Sequence, residues 1–277
     1  MKKATKILTS IPLYIWIILF TVLPLLMILV YAVFEVTPEG VHFTMSHIKA
    51  VVTNRDYYDA VLRSIHYAVA ATLVCLLLGY PLSSILTTLP EKQQNLMTVL
   101  LLLPMWMNFL IRTYAWMTIL QDTGILNGFL GLLGLGRVHI IGTEGAVVIG
   151  MVYDFLPFMI LPIYNTVSKI DGHLIEAAYD LGANKTKVYI SVILPLAVPG
   201  IVSGITMVFI PALTTFVISN MLGGGKINLI GNIIEQEFTV NSNWYLGSGL
   251  SLVMMIFIIL SMLLLQKFDK TGGENLI

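Results

Sequence analysis

Six apolar runs dominate this chain: Pro12 to Phe34, Ala60 to Leu89, Leu96 to Leu120, Ala146 to Val167, Leu196 to Ser219 and Leu246 to Leu265. A helix rises ~1.5 Å per residue, so roughly 20 such residues cross a hydrocarbon core of ~30 Å. In water these runs would have nowhere to hide: 57% of the residues are hydrophobic, 11% are charged, and the mean hydropathy is +0.88. That composition excludes a soluble globular domain. Inside a bilayer every backbone N–H and C=O must find its partner within the segment, so each run is expected to be a helix. The fold class that follows is an all-α integral membrane protein with six transmembrane helices. The first run exceeds a signal-peptide core and lacks a small-residue cleavage site, so it is expected to persist as an uncleaved span.

The segments between the runs set the orientation. Residues 35–59 carry Glu35, Glu39, His42, His47, Arg55, Asp56 and Asp59 and are expected outside, as loops with one short surface helix. Pro90 to Asn95 makes a tight internal turn, residues 121–145 form a Gly-rich external segment, and residues 220–245 a second external one. With both termini cytoplasmic, nine of the 15 Lys and Arg fall inside, namely Lys2, Lys3, Lys6, Lys92, Lys169, Lys185, Lys187, Lys267 and Lys270, in line with the positive-inside bias. The expected divisions are residues 1–59 (first span and external segment), 60–266 (the main membrane domain) and 267–277 (a cytoplasmic tail).

Several chemistries are excluded. Net charge is zero with no basic stripe, so no nucleic acid is a partner. The lone Cys75 offers neither a disulfide nor a zinc or redox pair. His42 and His47, five apart, do not share a helical face and make no metal site. Gly223-Gly-Gly-Lys226 imitates a phosphate loop, but Ile227 stands where Ser or Thr is required and Asn220 where the first Gly belongs; it is read as a flexible external turn, and the chain as one that does not hydrolyse ATP. With no nucleophile beside a base, and Asp154 the one acidic residue clearly at membrane depth, the chain is expected to be neither an enzyme nor a holder of any cofactor.

One polar island interrupts the apolar runs on the internal side. From Glu176 to Pro195 the spacing predicts a short helix, a sharp turn and a second helix: Leu174, Ala177, Ala178 and Leu181 make one apolar stripe, Glu176, Tyr179 and Asp180 surround it, Gly182 ends the helix and Asn184 caps the next. Glu176-Ala-Ala, three residues, Gly182, nine residues, Val192, one more and then Leu194-Pro195 resembles the signature loop of ABC importer permeases, with Val192 where that family most often has Ile. The resemblance implies a type I importer (MetI-like) permease fold whose loop docks into a groove of a separate ATP-hydrolysing subunit through Glu176, Ala177, Ala178, Asp180, Gly182, Leu194 and Pro195. ATP and magnesium would then belong to that partner.

For the path through the membrane, Arg112 and Asp154 each lie eight residues inside the outer end of consecutive runs, ~12 Å deep. Two readings stand: the charges pair with each other, or Asp154 faces a cavity and draws a cation. Trp106, Tyr114, Trp116, Tyr153, Phe209 and Phe216 are candidates to line a path for amines through cation–π contact, with Glu235 and Glu237 adding negative potential outside. Arg112-Thr-Tyr114, Leu156 to Pro162, Leu222 to Asn232 and Glu237-Phe238 are similar to the permeases of spermidine/putrescine ABC importers, over residues 12–268. That resemblance implies a bacterial inner-membrane assembly of a sister permease, two ATPase subunits and an external polyamine-binding protein. The alternatives are an importer permease for another small cationic or organic solute, or a secondary transporter, which usually shows two repeated halves; no internal repeat is visible here.

Overall fold

The computed structural model describes residues 11–274; Lys2, Lys3, Lys6 and the last three residues of the expected tail lie outside them. Helices supply nearly all of it. Helix α1 (Ile11–Val33) leads into a hairpin of β1 (Phe34–Thr37) and β2 (Gly40–Phe43), then α2 (Ser46–Thr53), α3 (Arg55–Thr88), α4 (Glu91–Trp106), α5 (Phe109–Leu120) and α6 (Ile125–Leu132). After these come α7 (Glu144–Val167), α8 (Gly172–Asp180), α9 (Lys185–Thr214), α10 (Val217–Leu222), α11 (Ile230–Thr239) and α12 (Trp244–Glu274). Five of these are long and apolar enough to cross a membrane, and the six expected spans are reached when a bent pair of helices is counted as one.

Two π turns interrupt the long helices, Ile18–Val22 in α1 and Tyr189–Ile193 in α9, and each is followed at once by a Leu-Pro pair, Leu23-Pro24 and Leu194-Pro195. Proline has no N–H to donate and its ring crowds the carbonyl four residues back. Widening the preceding turn relieves that crowding while the helix continues.

The chain divides into two compact units. One contains the residues up to Asp59 together with Ile233–Ile258. Here the β-hairpin pairs Phe34 with Phe43 and Thr37 with Gly40, turning at Pro38-Glu39. Tyr245 fastens it: its hydroxyl accepts the Val36 N–H at 3.2 Å, and its ring stacks on His47 at 5.7 Å. Gly249 permits that approach, since a Cβ there would stand 2.8 Å from His47 Cβ. The sequence reading allowed one helix in this segment and missed the hairpin, whose four-residue strands are too short for alternation to register.

The second unit, Ala60–Asn232 with the residues from Ile259 onward, is patterned inside out. On α3 most of the buried residues are small or polar, and Ala60, Ser64, Ala68, Ala71, Cys75, Gly79 and Ser83 recur every three or four positions, while Leu73, Leu77 and Ile85 are exposed. Lipid is as apolar as leucine, so large side chains gain little by turning inward; small ones let backbones approach and hydrogen-bond. Ser83 Oγ accordingly donates to Ile160 O of α7 at 2.9 Å, and Gly79 admits Met159. Helices α7 and α9 meet across Gly200 and Gly204, where a Cβ would fall 2.8 Å from Pro162 O and 2.7 Å from Met159 Sδ respectively.

The third apolar run departs from expectation. Rather than one straight helix over Leu96 to Leu120 there are α4 and α5, broken at Met107-Asn108, and Phe109–Leu132 as a whole is bent by 93° from α4. Met107 is extended, and Asn108 Oδ1 accepts the N–H groups of Leu110 (2.9 Å) and Ile111 (3.3 Å), opening a new helix rather than continuing the old one. The fifth run likewise stops early: α9 ends at Thr214, and α10 begins after Thr215-Phe216.

Candidate functional site

Two places gather the residues singled out above. The first is the loop from Asp171 to Pro195. Asp171 caps α8 by accepting the His173 N–H at 3.0 Å. At the other end Gly182, with φ +79°, makes the left-handed turn that closes a helix: Ala183 N–H reaches back to Ala178 O (3.0 Å) and Gly182 N–H to Tyr179 O (2.9 Å). Asn184 then opens α9, its Oδ1 accepting the Lys187 N–H at 2.9 Å. The apolar stripe of α8 is left uncovered by its own chain. Leu174, Ala177 and Leu181 are exposed, Leu181 to 89%, and Ala178 is half-buried. Glu176 lies beside His173 at 3.5 Å, on the exposed side with Asp180.

Behind this stripe the loop is tied to the spans by contacts not foreseen from sequence. Tyr189, the first residue of the π turn, donates its hydroxyl to Ser84 Oγ of α3 at 3.1 Å and lies 5.1 Å from the Tyr80 ring. Tyr164 of α7 donates to Gln94 Oε1 at 2.9 Å, and Gln94 Nε2 in turn donates to Leu89 O at 2.7 Å. Tyr189 thus ties the start of α9 to α3, and Gln94 ties α7 to the turn before α4. The only sequence signal for them is a set of polar side chains at the internal ends of apolar runs.

The second place is the break between α4 and α5. Arg112 and Asp154 are both buried, with Nε 2.5 Å from Oδ1 and its N–H out of line with that oxygen, so an ion pair joins them. Arg112 Nη1 also donates to Pro104 O, the last turn of α4, at 2.6 Å, and the guanidinium lies over the rings of Phe109 (5.7 Å) and Tyr153 (6.0 Å). Thr113 Oγ1 donates to Asp154 Oδ2 at 3.5 Å. One side chain thus holds both sides of the 93° bend and fixes them to α7. The two charges therefore meet in the structure. Phe109, Thr113 and the Pro104 carbonyl escaped the sequence reading because nothing in spacing indicates a helix broken at Asn108.

The aromatic candidates do not form one cluster. Trp116 and Tyr153 meet edge to face at 5.0 Å beside the ion pair. Trp106, Tyr114 and Phe216 present exposed rings, whereas Phe209 lines an apolar cleft of about 340 Å³ with Val69, Leu73, Ile205 and Leu264. In the other unit, Glu237 is buried and accepts from Asn241 Nδ2 at 3.0 Å, and Glu235 accepts from Thr239 Oγ1 at 3.1 Å. Among the described residues no group of His, Cys, Asp and Glu has the placement to hold a metal ion.

Comparison with known proteins places this architecture. Residues 4–271 match the family model described as binding-protein-dependent transport system inner membrane component. The chain is 38% identical over 274 residues to the spermidine/putrescine transport system permease protein PotB of Haemophilus influenzae, covering 97% of this chain and 95% of that protein. It is 39% identical over 265 residues to the Escherichia coli K12 protein of the same name, covering 92% and 94%. Among solved structures it resembles a chain of a bacterial ABC transporter involved in the import of the acidic polysaccharide alginate, with TM-score 0.81 at 15% identity over 97% of this chain and 96% of that one. A chain of the MetNI methionine ABC transporter follows at TM-score 0.60 and 19% identity, over 78% and 95%. At such identities the structures speak for the fold alone.

Proposed function

Because the chain belongs to the family of binding-protein-dependent transport system inner membrane components, a multi-pass transport permease rather than an enzyme, we propose that it is the polyamine permease of an ATP-driven importer. The observation that carries the reading is likeness to spermidine/putrescine permeases over more than nine-tenths of the chain. Cargo is delivered from outside by a binding protein, passes between this chain and a sister permease, and moves at the expense of ATP hydrolysed by two further subunits. The uncovered stripe of α8 supports the last step: Leu174, Ala177 and Leu181 stand exposed in a loop that its own chain leaves free, and an apolar patch in water calls for a partner. Exposed rings at Trp106, Tyr114 and Phe216 suit a cargo of ammonium groups joined by methylenes.

The decisive measurement is uptake of labelled spermidine and putrescine into vesicles containing the complete complex. Uptake that requires both ATP and the binding protein is the expected result; uptake that persists without the ATPase subunits and follows an ion gradient would instead make the chain a secondary transporter. Orientation is tested separately. With Lys185 inside and Lys226 outside, Lys226→Cys in a Cys75→Ala background reacts with an impermeant thiol reagent in intact cells and Lys185→Cys does not. Labelling at position 185 would overturn the topology.

A further inference from the structure

Beyond transport, the structure assigns a role to the segment that follows the broken span. From Gly124 to Gly136 no residue is charged, and Asn127 is the one polar side chain. That side chain is buried and occupied: Nδ2 donates to Gln121 O (3.2 Å) and Val138 O (2.9 Å), and Oδ1 accepts the Val138 N–H (2.8 Å). Just outside the same neck, Asp122 and His139 meet at 2.8 Å. Helix α6 closes on Gly134, φ +72°, with Leu135 N–H returning to Leu130 O at 2.9 Å. The polar groups are thus gathered at the base and the tip is apolar. Ile125, Phe129 and Leu132, at i, i+4 and i+7, share one helical face, and Leu133 and Leu135 continue it; their exposure runs from 56% at Leu135 to 87% at Leu132.

We infer that residues 124–136 form a finger embedded in the bilayer, lying along its plane just beneath the head groups on the side where α4 emerges. Taken together, α5 and α6 (Phe109–Leu132) are bent by 93° from α4, so the chain past the break turns aside instead of carrying the apolar tip straight on along α4 into water, as an interfacial placement requires. The charge pattern fits lipid better than protein. A recognition surface has a polar rim around its apolar centre, whereas here the polar groups are spent at the neck. A partner that comes and goes, such as a binding protein, would also leave five large apolar side chains in water at every dissociation. Lipid covers them permanently. The finger would anchor the outer limb of the bend held by Arg112, and it does so whatever the cargo.

The test is fluorescence depth in the assembled importer, reconstituted in lipid nanodiscs. Leu132→Cys, and separately Phe129→Cys, are made in the Cys75→Ala background and labelled with a small environment-sensitive fluorophore. Leu77→Cys, exposed on α3, serves as the lipid reference and Val41→Cys, exposed on the hairpin, as the water reference. Brominated acyl chains are expected to remove most of the signal at 129 and 132, as at 77, while iodide has little effect and added binding protein changes nothing. Quenching by iodide as at 41 would refute the finger. Protection from both quenchers would assign the face to the sister permease, and a change on adding binding protein would assign it to that protein; either sinks the proposal without touching the transport reading.

Discussion

Neutralising one member of the buried pair, Asp154→Asn or Arg112→Gln, is expected to destabilise the folded permease by about 3–5 kcal/mol, because the remaining partner is left as an uncompensated charge away from water. That is more than a hundredfold in the folding equilibrium, so the yield of monodisperse protein after detergent extraction should collapse for both. Arg112→Gln should be the worse of the two, since it also removes the hydrogen bond to Pro104 O and the contacts with Phe109 and Tyr153. The double variant should recover most of the yield, because a neutral pair leaves no orphaned charge. Uptake need not recover with it: a glutamine side chain is shorter than arginine and lacks the forked guanidinium, so the 93° bend loses its brace. Asp154→Asn that extracts normally but fails to transport would revive the other reading of this carboxylate, in which it meets the cargo.

The second large effect is expected at the internal loop. Ala177→Trp places a bulky ring on the exposed stripe of α8, where it disturbs no contact of its own chain, so insertion and extraction should be unchanged. Uptake by the complex should nevertheless fall below about a tenth of the parent, the loss that ~1.4 kcal/mol of disrupted docking would produce. Gly182 tests the same step through the backbone. A Cβ there would meet nothing within 4 Å, so Gly182→Val acts through its φ of +79° alone, a conformation that costs an L residue ~1–2 kcal/mol and a β-branched one more. Gly182→Asn, whose side chain tolerates that conformation, should retain most of the uptake. The assay pairs uptake with retention of the ATPase subunits on affinity-purified permease. If Ala177→Trp and Gly182→Val hold those subunits and transport at full rate, the loop is not the coupling element.

The two predictions differ in how far sequence alone supports them. The Gly182 turn could be read directly, because a helix stop, a left-handed glycine and an Asn cap are local devices whose physics is complete within a few residues. The same holds for the apolar runs, where the bilayer forces a helix on any stretch long and greasy enough to cross it. Matched depth on consecutive runs even brought Arg112 and Asp154 forward as a pair. What sequence left open was whether they touch, and that turned on the break at Met107-Asn108, a feature hidden inside an unbroken apolar pattern. Hydropathy averages over a window and is blind to a single Asn accepting two backbone N–H groups. Only the tertiary structure decided which aromatic rings face outward, that Glu237 turns inward, and that Tyr189 reaches Ser84 across 105 positions of chain. These depend on which face of each helix its neighbours cover. In lipid that choice follows close packing of small residues such as Gly79, Gly200 and Gly204 rather than any hydrophobic stripe, so the pattern that betrays buried faces in water is absent here.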